Sequence, residues 1–158
     1  IHLSDSVYVN HNVFTNHNTA GIQIGISKSY WDVIENNTFA SGEYSIVNLA
    51  GWTPGWVQHN IFWAPTWGIL NFHGLVICNC YADSTEVPPY NFYADPEFCG
   101  TIESQNLFLQ SDSPCAPGNA PLPSYACDTL RVIGALPVGC GTAPTKRRSW
   151  GEIKRIYR

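Results

Sequence analysis

The chain has 158 residues, 13% of them charged and 13% aromatic, with six cysteines, no methionine and a formal net charge of −4. Residues 1–130 carry eleven acids against one base, Lys28, whereas residues 131–158 carry seven bases against one acid. This length suits one domain with a tail; the acidic body excludes a nucleic-acid groove, which needs Lys and Arg along the phosphate track, and no apolar run is long enough to span a membrane.

Residues 7–14 read VYVNHNVF, and the phrase returns as DVIENNTF (32–39), GWVQHNIF (55–62) and, more loosely, GLVICNCY (74–81). Aligned on Asn12, Asn37, Asn60 and Asn79, the copies are 25, 23 and 19 residues apart. Each has Val or Ile three places before the asparagine and Phe or Tyr two places after it. In a straight strand of period 2 those positions lie on opposite faces, so both point inward only if the chain bends between them. Asparagine, which tolerates the left-handed backbone conformation, is expected at that bend. Its amides are expected to bond along the column, as stacked polar ladders do.

A second aliphatic run follows each of the first three copies, in GIQIGI (21–26), SIVNLAG (45–51) and GILNFHG (68–74), with Ile22, Ile46 and Ile69 in step with the ladder. Each period therefore holds two short strands and a corner, which predicts an all-β solenoid rather than a leucine-rich repeat. Tyr44 and Trp67 both fall seven places after an asparagine, which predicts that they stack in neighbouring coils. After Tyr81 the repeat fades, and Pro88, Pro89 and Pro96 are expected to break the ladder. Short apolar runs between Thr101 and Cys140 read as final strands and a cap. Residues 142–158 form a linker and a basic tail in which Trp150, Ile153, Ile156 and Tyr157 recur at helical spacing behind a Ser cap.

The repeat is already in register at Val7, which leaves no room for the cap that an open solenoid end requires. The chain therefore reads as the C-terminal portion of a longer protein. Five of the six cysteines lie at or after Cys80, and Cys99, Cys115, Cys127 and Cys140 sit in Pro/Gly-rich loops, where crosslinks compensate for a sparse core. Among 15 connectivities the expected pairing is Cys99–Cys115 with Cys127–Cys140, in oxidising, extracellular surroundings. Buried reduced thiols are the alternative.

Three constellations are candidates for chemistry. Tyr44, Trp52, Trp56, Trp63 and Trp67 offer aromatic faces on which the apolar C–H faces of sugar rings could stack, against the plainer expectation that they cover the core at corners. His11 and His59 share one column but lie two coils apart, about 10 Å at ~4.8 Å per rung, too far to share a metal, so both are expected to be satisfied corner residues. His73 is an isolated candidate. The carboxylates Asp32 and Glu35 have opposite parity and should point apart, which argues against the paired acids of glycoside hydrolysis. Asp95 reads as a turn residue before Pro96. Cys78-x-Cys80 lacks the two-residue spacing of a zinc knuckle. Calcium could use carboxylate oxygens, but no clustered Asp motif is present, so no metal and no cofactor are expected.

The V/I-x-x-N-x-F/Y ladder, with ADPEF (94–98), NLFLQSDSPCAPGN (106–119) and VIGALPVGC (132–140), resembles right-handed parallel β-helix proteins of the pectin lyase-like type, over residues 1–141. Bacterial β-helix repeat proteins often close their last coils with a similar run. The resemblance implies a right-handed parallel β-helix with an irregular Cys-rich C-terminal cap over 1–141, to which the helical spacing at 149–158 adds a short tail helix behind a linker. Members include polysaccharide lyases and hydrolases, and surface and phage proteins without catalysis, so the fold alone selects no function. Lyases of that type neutralise the substrate acid with Lys, Arg or calcium, whereas residues 1–130 offer only Lys28. The expectation is a secreted or cell-surface module, non-catalytic in this segment, that binds or displays toward carbohydrate. The rivals are part of a polysaccharide lyase or hydrolase with its site in absent N-terminal coils, and a stalk or adhesin segment. The partner expected is a polysaccharide or surface glycan, with no nucleic acid.

Overall fold

Each repeat places one strand before its asparagine and one after it, and the two sets form two separate sheets. The computed structural model describes residues 2–3, 7–25, 31–49, 54–82, 87–121 and 127–140. In chain order the strands are β1 (His2–Leu3), β2 (Tyr8–Asn10), β3 (Val13–Ile24), β4 (Asp32–Glu35), β5 (Thr38–Asn48), β6 (Gly55–Gln58), β7 (Ile61–Leu70), β8 (Leu75–Ile77), β9 (Cys80–Tyr81) and β10 (Phe92–Tyr93). One sheet has the order β1-β3-β5-β7-β9-β10 and the other β2-β4-β6-β8. Every pairing is parallel, and the described residues contain no helix. The predicted tail helix lies outside them.

The register follows the repeat. Val9 pairs with Ile34, Ile34 with Val57 and Val57 with Val76, and Ile22 pairs with Ile46 and Ile46 with Ile69. The second aliphatic run is not a separate strand. It is the far end of the long strands β3, β5 and β7, which pass through a register shift between His17 and Ala20 in β3.

Between the sheets lies the first core cluster, built on Val9, Ile22, Ile24, Ile34, Phe39, Ile46, Val57, Phe62 and Tyr81. Its spine is a stack of rings two places after each asparagine: Phe14–Phe39–Phe62–Tyr81, with centroids 4.8, 5.3 and 4.8 Å apart. That spacing is close to the distance between neighbouring strands, so the sheet itself holds the rings in stacking range.

The bend between the two sheets lies one residue earlier than the sequence suggests. The left-handed conformation is carried by the residue before each asparagine: His11 (φ 53°), Asn36 (51°), His59 (54°), Cys78 (62°) and Tyr90 (62°). The asparagine itself does the bonding. Asn37 Nδ2 donates to Val9 O and Glu35 O, both at 2.9 Å, which satisfies carbonyls that the turn removes from the sheet. Its backbone N and Nδ2 both donate to Asn60 Oδ1. Asn12 treats Asn37 Oδ1 in the same way, and Asn60 treats Asn79 Oδ1.

The column has a fifth rung that the repeat does not announce. Asn91 Oδ1 accepts from Asn79 N (2.9 Å) and Nδ2 (2.8 Å). Pro88 and Pro89 do not break the ladder, because the rung needs only their carbonyls, and Asn91 Nδ2 donates to both.

Residues 94–121 and 127–140 cover the outer face of the six-stranded sheet over β5, β7, β9 and β10. Instead of final strands they form turns held by single bridges, Phe98 with Leu109 and Leu109 with Val138. Under them lies a second cluster that includes Ala40, Ile61, Cys80 and Phe92 from the sheet and Phe98, Leu107, Leu109, Cys115 and Ile133 from the cover. Gly134 (φ 101°) approaches the sheet closely, since a Cβ there would lie 2.5 Å from Ile61 Cδ1.

The bridges are Cys78–Cys127 and Cys99–Cys140, with Cα–Cα distances of 5.6 and 5.2 Å. They replace the expected Cys99–Cys115 and Cys127–Cys140 pairs. Cys115 points into the second cluster as a buried thiol, together with Cys80, which leaves Cys99 and Cys127 to partners outside their own loops. Each bridge therefore ties distant segments together, with sequence separations of 49 and 41 residues.

Candidate functional site

The C-terminal segment covers the outer face of the six-stranded sheet from β5 onward, whereas the four-stranded sheet presents its outer face. The inward column is Val9, Ile34, Val57 and Val76, so alternation turns Tyr8, Val33, Trp56 and Leu75 outward, with Asn10, Glu35, Gln58 and Ile77 beside them. Tyr8 is 55% exposed and Trp56 44%. Trp31, just before β4 and 55% exposed, lies against Trp56 with ring centroids 6.4 Å apart and planes inclined at 56°. Two indoles standing free at an angle form a shallow aromatic corner on an otherwise flat sheet.

A hydrogen-bonded carboxylate flanks that corner. Tyr8 Oη donates to Glu35 Oε1, and Gln58 Nε2 donates to Glu35 Oε2 at 2.7 Å. The trio spans three adjacent strands, and Glu35 is only 8% exposed. Burial by itself favours the neutral acid. The bonds from Tyr8 and Gln58, with His59 and Arg131 nearby, outweigh it and hold Glu35 below its ordinary carboxylate value. The same bond to Glu35 is the main reason that Tyr8 holds its phenolic proton more tightly than usual. Glu35 is thus a charged post that orients its neighbours. A proton donor in glycoside hydrolysis needs the opposite shift.

Next to Glu35, the segment 128–134 folds over the turn column. Asn36 Nδ2 donates to Val132 O (2.7 Å), Gly134 N to His59 O (2.8 Å) and Ala135 N to Thr38 Oγ1 (3.0 Å). Arg131 pairs with Asp128 at 2.9 Å. His59 is buried, with the Asp128 backbone and the Glu35 carboxylate beside its ring. Burial pushes its pKa down, against the pull of Glu35.

Asp32 and Glu35 do have separate partners. Asp32 is fully buried and its Oδ1 accepts from Val7 N at 3.1 Å. No group of three or more His, Cys, Asp or Glu side chains among the described residues could hold a metal ion. No helix of the described residues is long and apolar enough to cross a membrane.

The aromatic candidates whose side chains are described, Tyr44, Trp56 and Trp63, do not assemble. Trp56 is on the open face of the four-stranded sheet, but Trp63 is on β7, packed against Phe98 at 4.9 Å as part of the second cluster. Tyr44 is half-buried on β5, in backbone register with Ala20 and Trp67. The side chain of Trp67 and the whole of Trp52 lie outside the described residues. Trp31, Tyr8 and Gln58 were missing from the sequence candidates. Their signal was present: if the residue at −3 from the asparagine points inward, those at −2, −4 and −6 point outward, which gives Gln58, Tyr8 with Trp56, and Trp31.

No family profile, curated protein or solved structure matches the chain.

Proposed function

We propose that the chain is part of a right-handed parallel β-helix whose four-stranded outer face binds carbohydrate, without catalysing a reaction in this segment. The in-register parallel sheets and the asparagine column support the β-helix reading. The observation that carries the binding reading is the Trp31–Trp56 corner, because solvent-exposed indoles suit the apolar face of a sugar ring. Asn10 and Gln58 on the same face supply amides for its hydroxyls, and Glu35 holds Gln58 and Tyr8 in position. The low proton affinity of Glu35 speaks for binding over hydrolysis. Two disulfides fit an extracellular setting, where such bonds persist.

The test is a glycan array followed by calorimetric titration of the best ligand. Trp56→Ala and Trp31→Ala should each weaken binding at least tenfold, and Tyr90→Ala, away from the corner, should leave it unchanged. An intact chain that retains no glycan overturns the binding reading and leaves a structural stalk.

A further inference from the structure

Four of the six cysteines are bridged, and the remaining two lie against each other. Cys80 opens β9, and Cys115 sits in the turn at 113–116 of the cover. Both are fully buried in the second cluster. The Cys115 thiol is in hydrogen-bonding contact with that of Cys80, whose Sγ–H also reaches Ala94 O at 3.4 Å.

Both backbones are held in place. Cys80 N donates to Asn60 O (2.9 Å), Cys115 N to Ser113 Oγ (3.0 Å) and Ile133 N to Cys115 O (2.9 Å). Cys78, two residues before Cys80, is already bridged to Cys127 in the cover. A second link between the same strand region and the same cover therefore asks for no new docking of the chain.

We propose that Cys80 and Cys115 are a third disulfide site, which joins β9 to the cover when the chain folds in the presence of a small-molecule disulfide. In the reaction two S–H bonds and the S–S bond of the oxidant break, one S–S bond forms between the cysteines, and the two protons pass to the departing sulfurs. The two electrons reduce the small-molecule disulfide to two thiols. One cysteine thiolate attacks the oxidant and releases its first thiol. The second cysteine then displaces the other half.

The geometry also sets when this can occur. Burial, reinforced by the neighbouring thiol, holds Cys115 protonated well above the ordinary thiol range. With Cys115 held as the thiol and both sulfurs buried away from any oxidant, the closed core is inert. The bond forms before the cover seats, and a pair trapped as thiols stays reduced until the cover lifts. The order of folding and oxidation thus decides the state of this pair.

The experiment uses the full chain, reduced and denatured, then refolded in a buffer of reduced and oxidised glutathione. It is quenched with acid, denatured again and treated with iodoacetamide before intact-mass measurement and peptide mapping. The expected result is no alkylated cysteine and a crosslinked peptide pair that contains Cys80 and Cys115. Alkylation of both residues in chains that carry the other two bridges overturns the proposal, as does either residue crosslinked elsewhere. The double variant Cys80→Ala, Cys115→Ala should keep two bridges and melt at least about 4 °C below the oxidised chain. Equal melting points would also count against the bridge. If the double variant does not fold, the mapping of the unaltered chain decides alone.

Discussion

Asn37 and Asn60 stand 23 residues apart in sequence and meet at one oxygen: Asn60 Oδ1 accepts from the backbone N of Asn37 at 2.9 Å and from its Nδ2 at 3.1 Å. Asn60 also donates from Nδ2 to Ile34 O and Gln58 O, both at 2.9 Å. Asn60→Ala removes all of these at a fully buried position. It should cost about 3 kcal/mol or more, since each buried group left unpaired costs about 1–3 kcal/mol. Asn12→Ala, at the exposed end of the column, should cost about 1 kcal/mol. Urea unfolding of the two variants measures the difference, and equal losses would mean that the column is not cooperative.

The ring stack and the aromatic corner should separate stability from binding. Phe39 is fully buried between Phe14 and Phe62, so Phe39→Ala should destabilise by about 3–5 kcal/mol. Trp56, half in solvent, should cost about 1 kcal/mol or less when replaced by Ala. Thermal and denaturant melts of both variants read this directly, alongside the glycan titration.

His59 should make the fold sensitive to mild acid. Its folded-state pKa is lowered from 6.5, chiefly by burial. As pH falls below 6.5 the unfolded chain takes up a proton that the folded chain does not, so stability falls until the lowered folded value is passed. The slope is at most about 1.4 kcal/mol per pH unit. Above 6.5 both states are neutral and the contribution is flat. His59→Asn keeps the left-handed backbone, as Asn36 does one rung away (φ 51°). That variant should lose this part of the pH dependence, which denaturant titrations between pH 7.5 and 5 would show.

Glu35 should act in the opposite sense and at lower pH. Its folded-state pKa lies below 4.5, so its stabilisation is complete above that value and is lost as pH falls through the folded value. Glu35→Gln should cost about 2 kcal/mol at pH 7, because one of its two charged acceptors becomes a donor that faces Gln58 Nε2. The gap between wild type and variant should narrow below pH 4.5. A gap independent of pH would show that the carboxylate charge is irrelevant there.

Much of the architecture was legible before any coordinates. Val9, Ile34 and Val57 lie in one column, as do Phe14, Phe39 and Phe62, because a repeat of near-constant length with strand alternation places equivalent side chains over one another. The asparagine spacing marked the turn but not its mechanism. His11, Asn36, His59 and Cys78 have no residue type common to all four, so nothing in the pattern shows that they, and not the asparagines, carry the left-handed backbone. Asn91 escaped notice because its rung arrives after 12 residues, without the strand that precedes the others.

By itself, then, the sequence determined which side chains share a column and that the chain bends at each rung, since period and alternation are properties of the chain itself. Only the tertiary structure decided which columns stay open, that Glu35 meets Tyr8 and Gln58, that Trp31 leans on Trp56, and which cysteines face each other. The open columns and the cysteine pairing depend on the path of residues 94–121 and 127–140 over the six-stranded sheet. That path has no repeat to announce it: it is set by the packing of Phe98, Leu109 and Ile133 into a surface that exists only once the strands have stacked.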